Sequence, residues 1–348
     1  MSALLQSPPR PTRKVAGRQI SPNASEQTPE TLARGLLNGD RGLLARSITL
    51  IESNAPHHRP AAREVLRLTA TPSTAIRIGI SGVPGAGKST FIEAFGNMLC
   101  DAGHRVAVLA VDPSSSISGG SILGDKTRME TLSRRFECFI RPSPSGGALG
   151  GVTRKTRETI ALCEAAGYDV ILVETVGVGQ SEIAVRAMVD AFLLLLIAGA
   201  GDELQGMKKG IFEIADVLAV NKADGDNKVR ALATRSEFER VLHFLSGATA
   251  GWVPPVSAIS SRTGDGIPEL WQDIERYFLH VRASGAFDAR RQHQEIEWWR
   301  QLVEQELRAR FLSSPEIAAE AALLEQGVLA GRLSPTVAAE ELLAHFKK

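Results

Sequence analysis

The sequence has few cysteines and almost no net charge. Its 348 residues include only three cysteines, Cys100, Cys138 and Cys163, and no CxxC pair, which argues against a disulfide framework or a structural zinc site. We therefore expect a reducing, cytoplasmic compartment. Forty lysine and arginine residues oppose thirty-nine acidic residues, so the net charge of +1 gives the whole chain no electrostatic attraction to nucleic acid or anionic lipid. Any anion-binding site must be local.

A long hydrophobic run is also missing. The longest apolar stretch, residues 191–201, is far shorter than the roughly 20 residues that a membrane-spanning helix needs, and it predicts a buried strand. The first thirty residues are rich in proline and serine, carry basic residues and lack the apolar core of a secretory signal. They indicate a disordered tail, with an organellar transit peptide as the alternative.

Strand and helix patterns alternate along most of the chain. Strands are predicted at residues 76–81, 105–111, 138–141, 170–174, 192–197, 217–220 and 253–257, and helices between them at 88–102, 125–134, 153–166 and 227–246. Strands that are apolar on both faces and alternate with helices are typical of a parallel sheet covered on both sides. The predicted fold class is therefore α/β, a doubly wound, mostly parallel sheet.

Helical patterns precede and follow this α/β region. We predict a disordered tail over residues 1–30, a helical segment over 31–70, the α/β domain over 71–266 and a helical dimerisation region over 267–348. The last region contains Trp298 and Trp299, which could form an apolar contact between two chains or belong to the core of one chain.

A glycine-rich motif follows the first predicted strand and opens a helix. It matches the GxxxxGK[ST] pattern of a phosphate-binding loop, in the strand–loop–helix context that the pattern requires. Glycines let backbone N–H groups converge on phosphate oxygens, and the helix adds the positive end of its dipole. We expect Lys88 to bridge the β- and γ-phosphates, Ser89 to bind Mg²⁺ and Thr90 to contact the α-phosphate. The predicted binding residues are Gly82, Val83, Pro84, Gly85, Ala86, Gly87, Lys88, Ser89 and Thr90.

A second motif, NKAD, indicates which base is bound. Its residues Asn221, Lys222 and Asp224 follow the predicted strand 217–220, at the edge where open α/β sheets bind ligands. The Asp224 carboxylate can accept hydrogen bonds from both the N1–H and the 2-amino group of guanine, a donor pair that adenine lacks. The motif therefore favours GTP over ATP. The residues expected to cover the base follow the last predicted strand and are Ser257, Ala258 and Ile259.

Three acidic residues are candidates for a magnesium and switch apparatus. Glu174 ends a predicted strand, and Gly177 completes a carboxylate-x-x-Gly pattern in which the glycine N–H meets the γ-phosphate. Asp112 ends another strand, although it could instead cap a turn, and Asp125 lies in a glycine-rich stretch. Val178 stands where small signalling GTPases have a glutamine that orients water, so we expect slow hydrolysis without a partner.

Together these motifs resemble the MeaB/ArgK-type P-loop GTPases, which are chaperones of adenosylcobalamin-dependent methylmalonyl-CoA mutase. The resemblance covers most of residues 76–224 and rests on GVPGAGKST, AVDPSS, GDKTRM, RPSPSGGALGG, VETVGVGQSE, GDELQGMKKGI and NKAD. It implies a homodimeric GTPase that uses Mg²⁺ and GTP to gate cofactor loading and to protect the mutase or a related acyl-CoA mutase. It also implies docking on that mutase or on a cobalamin adenosyltransferase.

The resemblance also implies roles for individual residues. It assigns Asp112, Asp125 and Glu174 to the magnesium and switch apparatus, and it places Gln205 and Lys208 in a third switch that moves toward the nucleotide when the mutase binds. Two other functions stay open: a kinase or ATPase of an amino-acid transport system, which NKAD disfavours, and a GTPase that delivers nickel. The chain lacks the His-rich tract or cysteine pairs expected of a nickel carrier.

Overall fold

Seven parallel strands form the centre of the computed structural model, which describes residues 28–111, 129–141, 149–175, 181–198, 210–242 and 247–347. The strands are β1 (Ile76–Gly82), β2 (Val106–Val111), β3 (Cys138–Arg141), β4 (Val170–Thr175), β5 (Ala191–Ile197), β6 (Val217–Asn221) and β7 (Val256–Ala258). Their order across the sheet is β3-β2-β4-β1-β5-β6-β7, and every neighbouring pair is parallel. The sheet thus extends on both sides of β1, which confirms the doubly wound α/β fold.

Helices cover both faces of the sheet. They are α1 (Pro29–Leu37), α2 (Arg41–Glu52), α3 (Arg59–Thr69), α4 (Lys88–Asp101), α5 (Glu130–Arg134), α6 (Leu149–Ala165), α7 (Ser181–Arg186), α8 (Gly210–Ile214), α9 (Lys228–Leu242), α10 (Ile267–Ala283), α11 (Ala286–Leu312), α12 (Pro315–Leu329) and α13 (Pro335–Leu343). Within the described ranges, none of them is long and apolar enough to cross a bilayer. The division into domains stays a prediction.

Each face of the sheet has its own hydrophobic core. The first core contains side chains from α1, α2, α3, α6, α7 and α9, and the second contains side chains from α4, α5 and α10. Strand β5 contributes Leu194 and Leu196 to the first core and Leu193 and Leu195 to the second. Because both faces are buried, this strand is a continuous apolar run in the sequence rather than an alternating pattern.

The last strand begins later than its sequence pattern predicts. The pattern gives 253–257, whereas β7 is Val256–Ala258. Pro254 and Pro255 have no N–H to donate to a neighbouring strand, so they can take part in the ladder only through their carbonyl oxygens, and the strand begins after them. The first contact with β6 uses the Pro255 carbonyl, which accepts a hydrogen bond from the Leu218 N–H at 3.0 Å.

Helix α11 is fixed to the sheet by a buried ion pair. The Arg291 guanidinium donates to both carboxylate oxygens of Asp190, at 2.8 and 2.6 Å, just before β5 begins. The same carboxylate accepts a hydrogen bond from the backbone N–H of Arg77 in β1 at 2.9 Å. Asp190 therefore links β1 and the start of β5 to α11.

We expect Asp190→Asn to destabilise the fold. The substitution leaves the Arg291 charge buried without its counter-charge, which typically costs about 3–5 kcal/mol. Urea denaturation should show the loss as a lower midpoint. The matched control is Glu306→Gln, which breaks an exposed ion pair with Arg310 on the same helix and should leave the midpoint unchanged. Equal midpoints for the two variants would contradict the role given to Asp190.

Candidate nucleotide-binding site

The glycine-rich loop connects β1 to α4, as the motif requires. Gly85 and Gly87 have φ angles of 80° and 85°, a left-handed conformation that side chains with a Cβ rarely adopt. A Cβ on Gly82 would lie 2.4 Å from the Leu195 carbonyl oxygen, and one on Gly87 would lie 2.8 Å from Nδ2 of Asn221. The absence of side chains therefore lets the loop pack directly against β5 and the residue that ends β6.

Lys88 is the first residue of α4, and it is only 9% exposed. Its Nζ donates to the carbonyl oxygen of Gly82 at 2.8 Å and lies 3.4 Å from that of Val83. Burial lowers the pKa of Lys88, whereas the carboxylates of Glu174 and Glu182 act in the opposite direction. The Lys88 ammonium therefore lies against the backbone of the loop. This is the place where the sequence predicts that the β- and γ-phosphates bind.

The two metal-ligand candidates that the structure describes lie next to each other. Ser89 Oγ donates to Glu174 Oε1 at 3.2 Å. Hydroxyl and carboxylate oxygens are the ligand types that Mg²⁺ prefers, so this pair fits a magnesium site. Nowhere in the described ranges is a cluster of three or more His, Cys, Asp or Glu side chains arranged to hold a metal ion. The predicted site residues that lie outside the described ranges are Asp112, Asp125, Gly177, Gln205 and Lys208.

Asn221 connects the NKAD segment to two other loops. Its Nδ2 donates to the Ala86 carbonyl oxygen of the phosphate loop at 2.8 Å. Its Oδ1 accepts hydrogen bonds from the Ser261 hydroxyl at 2.8 Å, the Ser261 N–H at 3.1 Å and the Lys222 N–H at 2.8 Å. The amide therefore positions the phosphate loop, the NKAD segment and the loop after β7 relative to one another.

A cleft of about 540 Å³ opens beside these loops. Its volume is within the range of ordinary small-molecule sites, about 300–1,000 Å³. It is lined by Gly87, Thr90, Ile197, Ala198, Asn221, Lys222, Asp224, Asn227, Ser261 and Arg262. The Asp224 carboxylate accepts a hydrogen bond from Ser260 Oγ at 2.9 Å, which restrains its orientation. Residues of the phosphate motif and of NKAD thus share one cleft.

The residues predicted to cover the base do not line this cleft, although the Ile259 carbonyl oxygen accepts a hydrogen bond from the Ala223 N–H of NKAD at 2.9 Å. Ser257 donates to Asp273 at 2.7 Å, and together with Ala258 it lines a different cavity. Ile259 is fully buried, and its N–H donates to the Val220 carbonyl oxygen of β6. The chain therefore leaves the sheet only after Ile259.

The cleft also contains residues that no sequence motif indicated. Ser261 and Arg262 come from the loop after β7, and Asn227 comes from the segment after NKAD. Asn227 also donates to the Lys222 carbonyl oxygen at 2.8 Å. The proline pair before β7 was the sequence signal for the position of this loop. The prolines shift the start of β7, and therefore also the loop after it, toward the carboxyl terminus.

Comparison with known proteins identifies the family of the chain. The family model described as "Methylmalonyl Co-A mutase-associated GTPase MeaB" matches residues 44–316. This chain belongs to the MeaB family of GTPases. Membership confirms the resemblance drawn from the motifs and implies a guanine nucleotide as ligand.

Similar MeaB-family proteins are found in bacteria and animals. The chain is 48% identical over 284 residues to "GTPase ArgK" of Escherichia coli strain K12, covering 81% of this chain and 86% of ArgK. It is 48% identical over 330 residues to the mouse "Methylmalonic aciduria type A homolog, mitochondrial", covering 91% and 79% of the two chains. The solved structure of a "LAO/AO transport system kinase" matches with a TM-score of 0.73 and 37% identity, covering 92% of this chain and 98% of that one.

We expect Gly87→Ala to weaken guanine-nucleotide binding. Both Gly87 and Gly103 have a positive φ, so alanine at either position should cost about 1–2 kcal/mol of stability. Only at Gly87 does the new Cβ meet another group, the amide of Asn221, whereas Gly103 has open space around it. Titration with a fluorescent GDP analogue should show weaker binding for Gly87→Ala than for the control Gly103→Ala. Equal affinities would contradict the coupling through Asn221.

Proposed function

We propose that this protein is a chaperone that binds and hydrolyses GTP and depends on magnesium. Its client is methylmalonyl-CoA mutase or a related acyl-CoA mutase. The chaperone gates the loading of adenosylcobalamin into that enzyme and protects it. The observation that carries the proposal is the hydrogen bond between Asn221 and Ala86. It joins the loop that carries Lys88 to the segment that carries Asp224. A nucleotide fits this arrangement, because its phosphates can occupy the loop of Lys88 while its base reaches Asp224.

At the phosphate end, each residue has a distinct task. The Lys88 ammonium, together with the N–H groups of the loop and of the first turn of α4, binds the β- and γ-phosphates. Ser89 and Glu174 would hold Mg²⁺, which when bound would supply positive charge beside the phosphate oxygens. By family resemblance, Asp112 and Asp125 would belong to the same magnesium and switch apparatus, and the carboxylate-x-x-Gly pattern would bring the Gly177 N–H to the γ-phosphate.

At the base end, Asp224 distinguishes guanine from adenine. Its carboxylate accepts the two donors on the guanine edge, and Ser260 keeps one carboxylate oxygen in place. The Lys222 backbone has a φ of 62°, and its carbonyl oxygen is held by Asn227, so the turn that presents Asp224 is fixed from both sides. Ser261 and Arg262 replace Ser257, Ala258 and Ile259 as the residues that we propose to flank the base.

The client enzyme and the dimer are inferred from the family and from the exposed surface. The description of the family model names methylmalonyl-CoA mutase. Gln205 and Lys208 are proposed to respond to the mutase, and Lys88 to sense the γ-phosphate. The C-terminal helices expose large apolar side chains that a homodimer would cover: Ile296, Trp299, Leu307, Leu323, Leu329 and Leu343.

A second candidate is a kinase or ATPase of an amino-acid transport system. One observation favours it, namely the structural match to a protein that is itself named a transport system kinase. Such a kinase or ATPase would use ATP, whereas a carboxylate at Asp224 favours guanine. The nucleotide preference therefore separates the two functions.

We expect Asp224→Asn to weaken GTP binding by about 10- to 100-fold, because a charged acceptor for two donors is lost. ATP binding should be no weaker, and xanthosine triphosphate should gain affinity because its 2-carbonyl accepts a hydrogen bond from the new amide. The matched control is Asp226→Asn, an exposed acid two residues away that does not line the cleft. Competition against a fluorescent GDP analogue measures all three nucleotides. An unchanged GTP affinity in Asp224→Asn would remove the guanine assignment.

We expect the affinity for a purified acyl-CoA mutase to depend on the bound nucleotide. A switch can shift an equilibrium only by its differential affinity for the two states. Surface plasmon resonance with a non-hydrolysable GTP analogue, with GDP and without nucleotide should give different dissociation constants. Lys88→Ala should lose at least about tenfold in GTP affinity and show no such dependence. Equal mutase affinity in all three nucleotide states would refute the gating proposal.

A further inference from the structure

A second cavity lies between α6, α7 and α11, apart from the nucleotide cleft. Its volume is about 530 Å³, which also suits a small organic molecule. Its lining includes apolar and polar side chains, among them Ile183, Ala187, Leu302, Arg154, Arg157 and Gln301. In the part of the chain that the structure describes, no acidic side chain lines this cavity.

Arg157 is the unusual member of this lining. The residue is only 8% exposed, and its guanidinium forms no ion pair with any described residue. Its Nη1 and Nη2 donate to the carbonyl oxygens of Gln294 and Ala187 at 3.1 and 2.6 Å. These neutral carbonyls orient the guanidinium without cancelling its charge.

Two donors of these lining residues also have no acceptor. Arg157 Nε and Trp298 Nε1 are both buried without a hydrogen-bond partner among the described residues. The guanidinium carbon of Arg157 lies 5.6 Å from the centre of the Trp298 ring. Burial lowers the pKa of Arg157 to about 10, and the neighbouring charge that contributes, Arg77, has the same sign. Buried charges are usually paired, so a counter-anion is missing here.

The local charge and the apolar walls limit which anion fits. Arg154 already forms an ion pair with Glu158 at 3.0 Å, so Arg157 contributes the one uncompensated positive charge among the described lining residues. One positive charge matches a monoanion better than a dianionic phosphate ester. A guanidinium binds a carboxylate through parallel hydrogen bonds, and Ile183 and Leu302 offer an apolar surface to the rest of the molecule.

We propose that this cavity binds a small organic carboxylate with an apolar body. The carboxylate pairs with Arg157, and the apolar body packs against Trp298, Leu302 and Ile183. The site is separate from the GTP cleft and does not depend on the proposed function, because neither Lys88 nor Asp224 takes part in it.

Isothermal titration calorimetry on the full chain tests the charge requirement. The probes are phenylacetate, its neutral isostere phenylacetamide and the dianion phenyl phosphate. We expect phenylacetate to bind at least about tenfold more tightly than either of the others. Absence of binding heat with phenylacetate at about 10 mM, a concentration that detects even millimolar affinity, would overturn the proposal. Equal affinity for the amide, or tighter binding of the phosphate, would overturn the assignment of a carboxylate.

A pair of charge variants tests the location without removing the contacts of Arg157. Gln301→Glu adds an acid to the cavity lining and should weaken phenylacetate binding by about three- to tenfold. Gln326→Glu makes the same change on the exposed surface of α12, outside the cavity, and should leave the affinity unchanged. Denaturation midpoints verify that both variants fold. Identical phenylacetate affinities in the two variants would place the binding elsewhere and contradict the proposal.

Discussion

The side-chain amide of Asn221 is the contact on which the geometry of the candidate nucleotide cleft depends. It is 1% exposed, and both of its polar atoms are hydrogen-bonded. A buried amide is stable only when its donors and acceptors are paired, so its partners must stay in a fixed arrangement. Those partners belong to the phosphate loop and to the loop after β7. Loss of the Ala86 contact would leave Nδ2 without its acceptor and would release the phosphate loop from the NKAD segment.

Sheet topology explains why residues far apart in sequence meet at this edge. Strands β1 and β4 are neighbours, and Ile80 lies opposite Glu174 in their register. The helix that follows β1 begins with Lys88 and Ser89, so Ser89 reaches Glu174 directly. Strand β6 ends at Asn221 two positions away from β1 across the sheet. Because all the strands are parallel, their carboxyl ends share one edge, and ligand-binding residues collect there.

The sequence predicted the strands and the phosphate loop well, because each depends on local chemistry. Strands buried on both faces are apolar runs, and a phosphate loop needs glycines at fixed positions. The loop after β7 was harder, since its position depends on where Pro254 and Pro255 permit pairing to start. The cavity around Arg157 gave no local signal at all. It depends on the packing of α11 against α6, which brings Gln294 to a residue 137 positions earlier in the chain.

Lys88 and Arg157 are both buried cations, but their charges are compensated in different ways. Both cations are buried, both are held by backbone carbonyl oxygens, and burial lowers the pKa of each. Near Lys88, the carboxylates of Glu174 and Glu182 offset part of the desolvation cost even without a ligand. Near Arg157, no described carboxylate does so. A site that keeps an unpaired cation in an apolar cavity gives up stability in the free protein, and an anion that enters the cavity restores it.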